Sequence, residues 1–255
     1  MSPEAGHIAE LHRKAQVALK EGRPREAHQH CLAILKQDRK HADAWFLCGV
    51  IAGQNGQGEK AVQITRNAVQ LAPRRAEYQA ELGKHLLSTG DHREALRAAD
   101  KASDLDPEDI PTLNTLGTLL SHCGEHDRAV IYFEKAAEKL RERGCSGFAA
   151  EFCAELYFNM AVSLKFAGNF KGARAAYEKA ISIQTDCFKA YSALAQMHRH
   201  TAEDNHLDAL LSLKDKAKTP LDQLHLGHGI AKVYEDLENY PEALNYLLWA
   251  KEAQG

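Results

Sequence analysis

The sequence predicts an all-α solenoid built from antiparallel helix pairs, and three observations support that prediction. Glycine recurs at intervals of 34 residues, alanine recurs at the same interval five residues later, and the apolar residues between them follow a helical spacing. A fixed period of ~20 to 50 residues is typical of repeat proteins, in which each unit packs only against its neighbours. The markers are Gly22, Gly56, Gly90 and Gly124, followed by Ala27, Ala61, Ala95 and Ala129.

Each unit is predicted to contain two helices joined by a tight turn. In the second unit Trp45, Cys48, Gly49 and Ala52 fall at i, i+3, i+4 and i+7, which is one stripe of an α-helix. The recurring glycine ends the first helix, because a left-handed residue at that place is costly for other side chains. The recurring alanine is expected where two helices cross closely, since a larger side chain would force them apart.

The period continues, with interruptions, through the rest of the sequence. Gly168 and Ala173 resume the pattern after a step of 44 residues, which predicts an insertion of ten residues. Ala243 follows Ala173 by 70 residues, two periods plus two, so a degenerate unit is expected between them. We therefore predict one solenoid over residues 1–255, with units at 8–41, 42–75, 76–109 and 110–143, an insertion at 144–153, a unit at 154–187, a degenerate unit at 188–223 and a last unit at 224–255.

Composition argues against several classes of partner. The chain has 32 Lys plus Arg and 35 Asp plus Glu, and the two signs alternate along the predicted helices, so we expect no nucleic-acid binding. No apolar run reaches the ~20 residues of a spanning helix, and the start lacks the order of a signal peptide. We expect no membrane contact and a cytoplasmic location. Six cysteines without a CxxC pair favour reduced thiols; for Cys145 and Cys153, beside the insertion, packing is preferred over a redox switch.

Short motifs that carry catalysis or cofactor binding are absent from the sequence. It contains no GxxxxGK[ST], GxGxxG, HExxH or GxSxG. We therefore expect no enzyme activity of this chain itself, no catalytic residue and no cofactor. The pairs His122 with His126 and His225 with His228 have spacings that zinc ligands use, but no cysteine pair accompanies them. We interpret these histidines as surface or packed residues and predict no metal site.

The repeated pattern resembles the tetratricopeptide repeat (TPR) family, whose 34-residue units carry Leu-Gly, Ala, an aromatic residue, Ala and Pro at fixed offsets. The third unit contains QAELGKHL and EALRAADKASDLDP, and the fourth contains LNTLGTLL and RAVIYFEKAAEKL. The resemblance covers almost the whole chain. It implies a right-handed superhelix whose first helices line a concave groove, and a non-catalytic scaffold that binds a protein or peptide there.

The resemblance also implies which residues face that groove. Ligands of TPR proteins usually lie against positions 2, 5, 9 and 12 of the first helix. The Lys and Asn set with which one subclass clamps a peptide C-terminus is missing here. Apolar pairs at positions 5 and 9 would anchor a peptide or would pack against neighbouring units, and both interpretations stay open. The candidate groove residues are Phe46, Val50, Asn114, Thr118, Phe158 and Val162.

The last predicted helix is apolar where the internal units are polar. Leu248 and Trp249 stand at the place that Glu134 and Lys135 hold in the fourth unit. A terminal repeat ordinarily presents a polar outer face, so we expect a contact there with a further domain, a partner or a second copy. The alternative is a local cap formed by the short tail.

The C-terminal segment is similar to the junction that follows the repeats in bacterial TPR-sulfotransferase proteins. Ile230, Ala231, Lys232 and residues 234–237 match its phrase, whereas His228 stands where Phe is usual. This implies either the regulatory N-terminal half of a sulfotransferase-type protein or part of an enzyme whose catalytic domain lies beyond residue 255. The phosphosulfate-binding loop of that family is absent from the sequence. A self-assembling scaffold that uses the last helix is a further alternative.

Overall fold

The computed structural model describes residues 3–143 and 150–252, and the regular secondary structure in those ranges is helical, with no strand in them. The all-α prediction is confirmed. No helix within these ranges has the length and apolar character needed to cross a membrane. The α-helices are α1 (Pro3–Lys20), α2 (Pro24–Gln37), α3 (Ala42–Gln54), α4 (Gly58–Leu71), α5 (Ala76–Ser88), α6 (His92–Asp104), α7 (Ile110–His122), α8 (His126–Arg143), α9 (Ala150–Phe166), α10 (Phe170–Ile183), α11 (Phe188–Ala195), α12 (Leu207–Ser212), α13 (Pro220–Asp236) and α14 (Tyr240–Glu252).

The turns between paired helices use the recurring glycine as the sequence predicts. Five of these glycines have φ between 69° and 83°, a left-handed conformation that residues with a Cβ adopt only at a cost. In the fourth pair, the Gly124 N–H donates to the Ser121 carbonyl at 3.1 Å and the Glu125 N–H to the Leu120 carbonyl at 2.9 Å. In the last pair Glu238 takes the corresponding place with φ of 60°. The turn is therefore retained there without glycine, at some cost in backbone strain.

Small residues allow the helices of a pair to approach closely. The recurring alanines are buried, as expected at helix crossings. Within pairs, α3 packs on α4, α5 on α6, α9 on α10 and α13 on α14. Each of α2, α4 and α6 also packs on the helix that follows it, which is the first helix of the next pair. The second helix of a pair thus has two packing faces.

The chain divides into two compact units, Met1–Tyr132 and Phe133–Gly255, here called the N-terminal and C-terminal units. The core of the N-terminal unit includes Cys31, Ile34, Phe46, Leu47 and Tyr78. In the C-terminal unit one core cluster collects residues of α11, the α12 region and α13, with partly buried residues of α14 packed against it. Its members include Phe188, Leu210, Leu226, Ile230 and Val233.

The insertion and the degenerate unit differ from the regular helix pairs in where their helices begin and end. Helix α9 begins at Ala150, so residues 150–153 of the predicted insertion are helical, with Glu151 in the first turn where a carboxylate is favourable. Residues 144–149, with Cys145, lie outside the described residues, and Cys153 is buried in α9. In the degenerate unit the second helix is reduced to α12 and a short 3-10 turn at Lys214–Lys216.

Candidate functional site

A cleft of about 580 Å³ opens in the C-terminal unit between α13, α14 and the end of α11. We call it the C-terminal cleft. Gln196, at the end of α11, lies at one side of it. Two walls face each other, one from α13 and one from α14. The α13 wall consists of His228, Ala231, Lys232 and Glu235, and the α14 wall of Tyr240, Ala243, Leu244 and Leu247.

The α14 wall is an exposed apolar stripe. Tyr240, Leu244 and Leu247 fall at i, i+4 and i+7 and so share one helix face. Their side chains are 62%, 57% and 45% exposed. Contiguous exposed apolar residues of this size usually mark a contact surface, whereas single exposed leucines need no explanation. The stripe is therefore the feature of the cleft best suited to apolar contact with a ligand.

The α13 wall is polar, and neighbouring carboxylates partly neutralise the charge of its lysine. The Lys232 ammonium pairs with the Asp236 carboxylate and lies 3.9 Å from Oε2 of Glu235. Burial opposes ionisation of Asp236, but Lys232 and the backbone N–H of His200 outweigh it and hold the pKa of that carboxyl below its usual value. Gln196 and His228 are exposed and add hydrogen-bonding groups. This wall can donate to and accept from a polar backbone or side chain.

The two walls face each other because α13 and α14 pack closely at a glycine. A methyl group added at Gly227 would lie 2.7 Å from the Cβ of Ala250 and 2.9 Å from the carbonyl oxygen of Tyr246. Above this crossing the ring of Tyr246 stacks on Tyr234, with centroids 5.7 Å apart. The α13 helix itself begins at a capping box, in which Thr219 and Asp222 satisfy each other's backbone N–H groups.

The predicted groove residues of the N-terminal unit lie on α3 and α7. Phe46 is 9% exposed, and its ring stacks on Tyr78 of α5 with centroids 4.6 Å apart. Val50 packs partly buried against the same core. This stacking is a packing contact between neighbouring helix pairs, which is one of the two roles considered for Phe46 in the sequence. On α7, Asn114 and Thr118 are half-buried, and Oδ1 of Asn114 has no hydrogen-bond partner.

In the C-terminal unit the predicted residues lie on α9. Phe158 and Val162 are both half-buried. The Phe158 ring is tilted against Tyr177 of α10 at 5.6 Å, and the Lys189 ammonium of α11 lies 4.4 Å from its centroid. Phe158 thus contacts the second helix of its own pair and the first helix of the next. The six predicted residues are distributed over three helices, and their role as a binding groove stays a prediction.

The two residues of the predicted terminal contact, Leu248 and Trp249, lie in different environments. Leu248 is 49% exposed. Trp249 instead packs against the core of the C-terminal unit, edge-on to Tyr246 at 6.2 Å, with the Lys214 ammonium 5.5 Å from its ring. Sequence reasoning missed Tyr240, Leu244 and Leu247 as an exposed face. Their i, i+4, i+7 spacing was visible, but the same spacing is normal for buried residues of a repeat helix.

Comparison with known proteins agrees with this architecture. Models of the tetratricopeptide repeat family match residues 18–84, 112–143 and 154–187, which together make up more than half of the chain. The structure is similar to the APC/C hetero-tetramer Cut9-Hcn1, with a TM-score of 0.64 and 16% identity over 95% of this chain and 42% of that one. This chain therefore spans less than half the length of that relative.

Two smaller bacterial proteins match along most of both chains. PilF of Pseudomonas aeruginosa has a TM-score of 0.62 and 20% identity, covering 85% of this chain and 93% of that one. A tetratricopeptide repeat protein from Parabacteroides merdae has a TM-score of 0.58 and 14% identity, covering 96% and 99%. At these identities the likeness shows the fold and leaves the ligand open. With helix pairs, turn glycines and family matches in agreement, the chain is a tetratricopeptide repeat protein.

Proposed function

We propose that this chain is a non-catalytic scaffold that binds a protein or peptide, and that the C-terminal cleft is a principal contact surface. The observation that carries the proposal is the exposed stripe of Tyr240, Leu244 and Leu247 facing the polar side chains of α13. A ligand with two or three apolar side chains on one side and a polar group on the other fits both walls. An amphipathic helix or an extended peptide meets that description.

The cleft has the means to hold such a ligand but offers little for catalysis. Apolar side chains of the ligand would cover the leucines, and each leucine fully buried contributes about 1.5–3 kcal/mol. Gln196, His228 and Glu235 would fix the orientation of the ligand through hydrogen bonds. Lys232 already pairs with Asp236, which leaves it poorly suited to act as a nucleophile or base.

Replacing the α14 wall is expected to weaken ligand binding. A displayed library of random peptides is selected on the wild-type protein, and the Kd of the best peptides is measured by fluorescence anisotropy. Leu244→Asp and Leu247→Asp place a carboxylate where the ligand's apolar side chains would lie. We expect each to raise the Kd at least about tenfold, equivalent to about 1.4 kcal/mol.

The matched control is Leu221→Asp, on α13 of the same unit. Leu221 is as exposed as the α14 leucines but does not line the cleft, so its replacement should leave the Kd unchanged within about a factor of two. Selection of no peptide, or equal weakening by Leu221→Asp and Leu247→Asp, would contradict the proposed surface. Phe158→Ala in the same assay tests whether the predicted α9 positions add to binding.

A second candidate function is self-association through α14. Leu248 continues the exposed stripe beyond Leu244 and Leu247, so two copies could pair their last helices. In that case the mass in sedimentation equilibrium should rise above the 28.3 kDa of one chain as concentration increases. Leu248→Asp should keep the protein monomeric, and Leu221→Asp should not. A wild type that stays monomeric at every concentration rules this candidate out.

A more specific proposal is that these repeats form the regulatory N-terminal half of a sulfotransferase-type protein. What supports it is the match of Ile230, Ala231, Lys232 and residues 234–237 to the junction of that family. The coding sequence after Gly255 tests it, since an encoded sulfotransferase domain supports the assignment and a stop codon opposes it. The expected cytoplasmic location is tested separately by fractionating cells that express the full gene product.

A further inference from the structure

Two pockets in the N-terminal unit are lined by the second helices of successive pairs and by the first helix that follows in the chain. The first pocket, of about 400 Å³, is formed by α2, α3 and α4, and the second, of about 220 Å³, by α4, α5 and α6. The pockets are one repeat apart, since Leu82 and Leu86 of the second stand 34 residues after Cys48 and Ala52 of the first. We call them the basic pockets.

Positively charged side chains are concentrated at both pockets. Among the described residues no carboxylate lines the first pocket, and Glu94 is the one carboxylate that lines the second. The whole chain has a formal charge of -3, so five Lys or Arg against one Glu is a local excess of positive charge that attracts anions. The basic residues of the two pockets are Arg25, His28, Lys60, Arg66, Arg97 and Lys101, and all of them are exposed.

Most of these cations are not neutralised by carboxylates of the protein itself. In the second pocket the Arg97 guanidinium pairs with Glu94. Four others form no ion pair with any residue in the described ranges, namely Arg25, Lys60, Arg66 and Lys101. These four charges are therefore available to a negatively charged ligand.

The starts of α2 and α4 add positive potential to the first pocket. Pro24 and Arg25 are the first two residues of α2, and Gln57 immediately precedes α4. Neither helix has a side-chain cap on its first N–H groups, and uncapped N–H groups at a helix start favour a nearby anion. The first-turn carboxylates Glu26 and Glu59 do not line the pocket. The backbone and the basic side chains thus favour the same kind of ligand group.

The inner surfaces of the pockets provide apolar contact and one unpaired amide. Ile51 and Ala52 are buried residues of the first pocket, and Leu82 and Leu86 are buried residues of the second. Gln79 also lines the second pocket and is only 5% exposed, and its side-chain amide makes no hydrogen bond to another residue that the structure describes. Because a buried amide usually has a hydrogen-bond partner, a ligand with backbone N–H and C=O groups suits this pocket.

We propose that the basic pockets bind an acidic peptide segment of a partner protein, with carboxylates at the cations and small apolar side chains on the inner surfaces. Successive pairs are stacked about one helix diameter apart, ~10 Å, and an extended peptide advances ~3.3 Å per residue, so acidic residues about three positions apart reach both pockets. A nucleic acid fits less well, because no aromatic side chain among the described lining residues offers a base a stacking surface. This surface lies in the N-terminal unit and does not depend on the C-terminal cleft.

Binding of a defined acidic peptide to the full chain tests this surface. The probe is a fluorescein-labelled peptide with Glu at every third position between Ala and Leu residues, and its matched partner has Gln in place of each Glu. We expect the Kd of the acidic peptide, measured by fluorescence anisotropy, to be at least about tenfold lower than that of the Gln peptide and to rise between about 50 and 300 mM NaCl. Lys60→Glu and Lys101→Glu should each raise it at least about tenfold, since each reverses a charge in one pocket.

The matched control is Lys40→Glu, which changes the net charge by the same amount. Lys40 is exposed and lies outside both pockets, so its replacement should leave the Kd within about a factor of two of the wild type. Circular dichroism shows that each variant is folded. Three results overturn the proposal: equal affinity for the Glu and Gln peptides, weakening by Lys60→Glu or Lys101→Glu that is no greater than by Lys40→Glu, or tighter binding of a labelled oligouridylate than of the acidic peptide.

Discussion

Replacing Tyr78 by alanine is expected to lower the free energy of unfolding of the N-terminal unit by about 3–5 kcal/mol, the range for removing a buried aromatic side chain. Tyr78 is fully buried on α5 and stacks on Phe46 of α3. Its loss would leave a cavity between two neighbouring helix pairs. Because a repeat protein is stabilised mainly by contacts between adjacent units, a cavity at this interface weakens the whole N-terminal unit.

The hydroxyl of Tyr78 contributes separately from its ring. It donates to Oδ1 of Asp43 at 2.5 Å, and the Arg75 guanidinium lies 4.9 Å from the ring centroid. Burial and the Asp43 carboxylate both raise the pKa of Tyr78, so the hydroxyl remains protonated and able to donate. Tyr78→Phe keeps the stacking and removes this bond. We expect it to cost about 1.5–3 kcal/mol, as for other hydrogen bonds to charged groups.

Tryptophan fluorescence measures these effects in the relevant unit. The chain has two tryptophans, and Trp45 packs against the same core as Tyr78. In a Trp249→Phe background, urea unfolding followed by fluorescence reports Trp45 alone. Tyr240→Ala is the control, because Tyr240 is mostly exposed and should change stability by less than about 0.5 kcal/mol. A Tyr78→Ala midpoint equal to that of Tyr240→Ala would contradict the assigned packing role.

The regular part of this fold could be predicted because one period fixes several local features at once. The glycine at each turn must adopt a left-handed conformation, and Gly90 and Gly124 do so. The alanine five residues later is buried in each pair, as for Ala95 and Ala129. Both are consequences of backbone sterics within a single pair, so residue type and spacing alone carry the information.

Contacts between neighbouring helix pairs are harder to predict, because they depend on side chains of the adjacent pair, which the repeat period does not specify. Phe46 occupies a position that the TPR resemblance assigns to the groove, and its ring also stacks on Tyr78 of the next pair, a contact that the period does not predict. Leu244 and Leu247 have the spacing of core residues and are nevertheless exposed. Whether a helix face is buried depends on the next element along the solenoid, and helical periodicity is the same in either case.

The mutual approach of His198, His200 and His206 was missed for a related reason. These residues lie in the degenerate unit, where the repeat pattern no longer assigns residues to helix faces. Histidines at helical spacing, such as His122 and His126, leave a periodic signal in the sequence. In the structure, His200 and His206 approach because a hydrogen-bonded loop folds back between them. Such a return of the chain is a tertiary feature and has no periodic signal.

Two glycines on α13 provide the second prediction with a large expected effect. Gly227 and Gly229 are both buried in the same helix, two residues apart. In a helix interior, exchanging glycine for alanine gains up to about 1 kcal/mol from backbone entropy when the methyl group fits. At Gly229 an added Cβ would lie 3.4 Å from the nearest atom, Cα of Ser192, which is ordinary contact. Gly229→Ala is therefore expected to be neutral or stabilising.

Gly227→Ala should have the opposite effect. The added methyl group would lie 2.7 Å from the Cβ of Ala250 and 2.9 Å from the backbone oxygen of Tyr246, and neither atom can rotate away. Helix α14 would have to move from α13, and overpacking of this kind costs about 1–3 kcal/mol. The same movement separates the walls of the C-terminal cleft, so the selected peptides should also bind Gly227→Ala more weakly than Gly229→Ala.

The comparison is measured by urea unfolding in a Trp45→Phe background, where the remaining Trp249 reports the C-terminal unit. Trp249 is a sensitive probe, because its ring carbon Cε3 would lie 3.2 Å from the added methyl group at Gly227. We expect the midpoint to fall for Gly227→Ala and to stay or rise for Gly229→Ala. Midpoints that stay at the wild-type value in both variants would mean that α13 and α14 do not pack closely at Gly227. If both midpoints fall alike, the cost lies in the loss of glycine itself, and close helix contact is not the reason for Gly227.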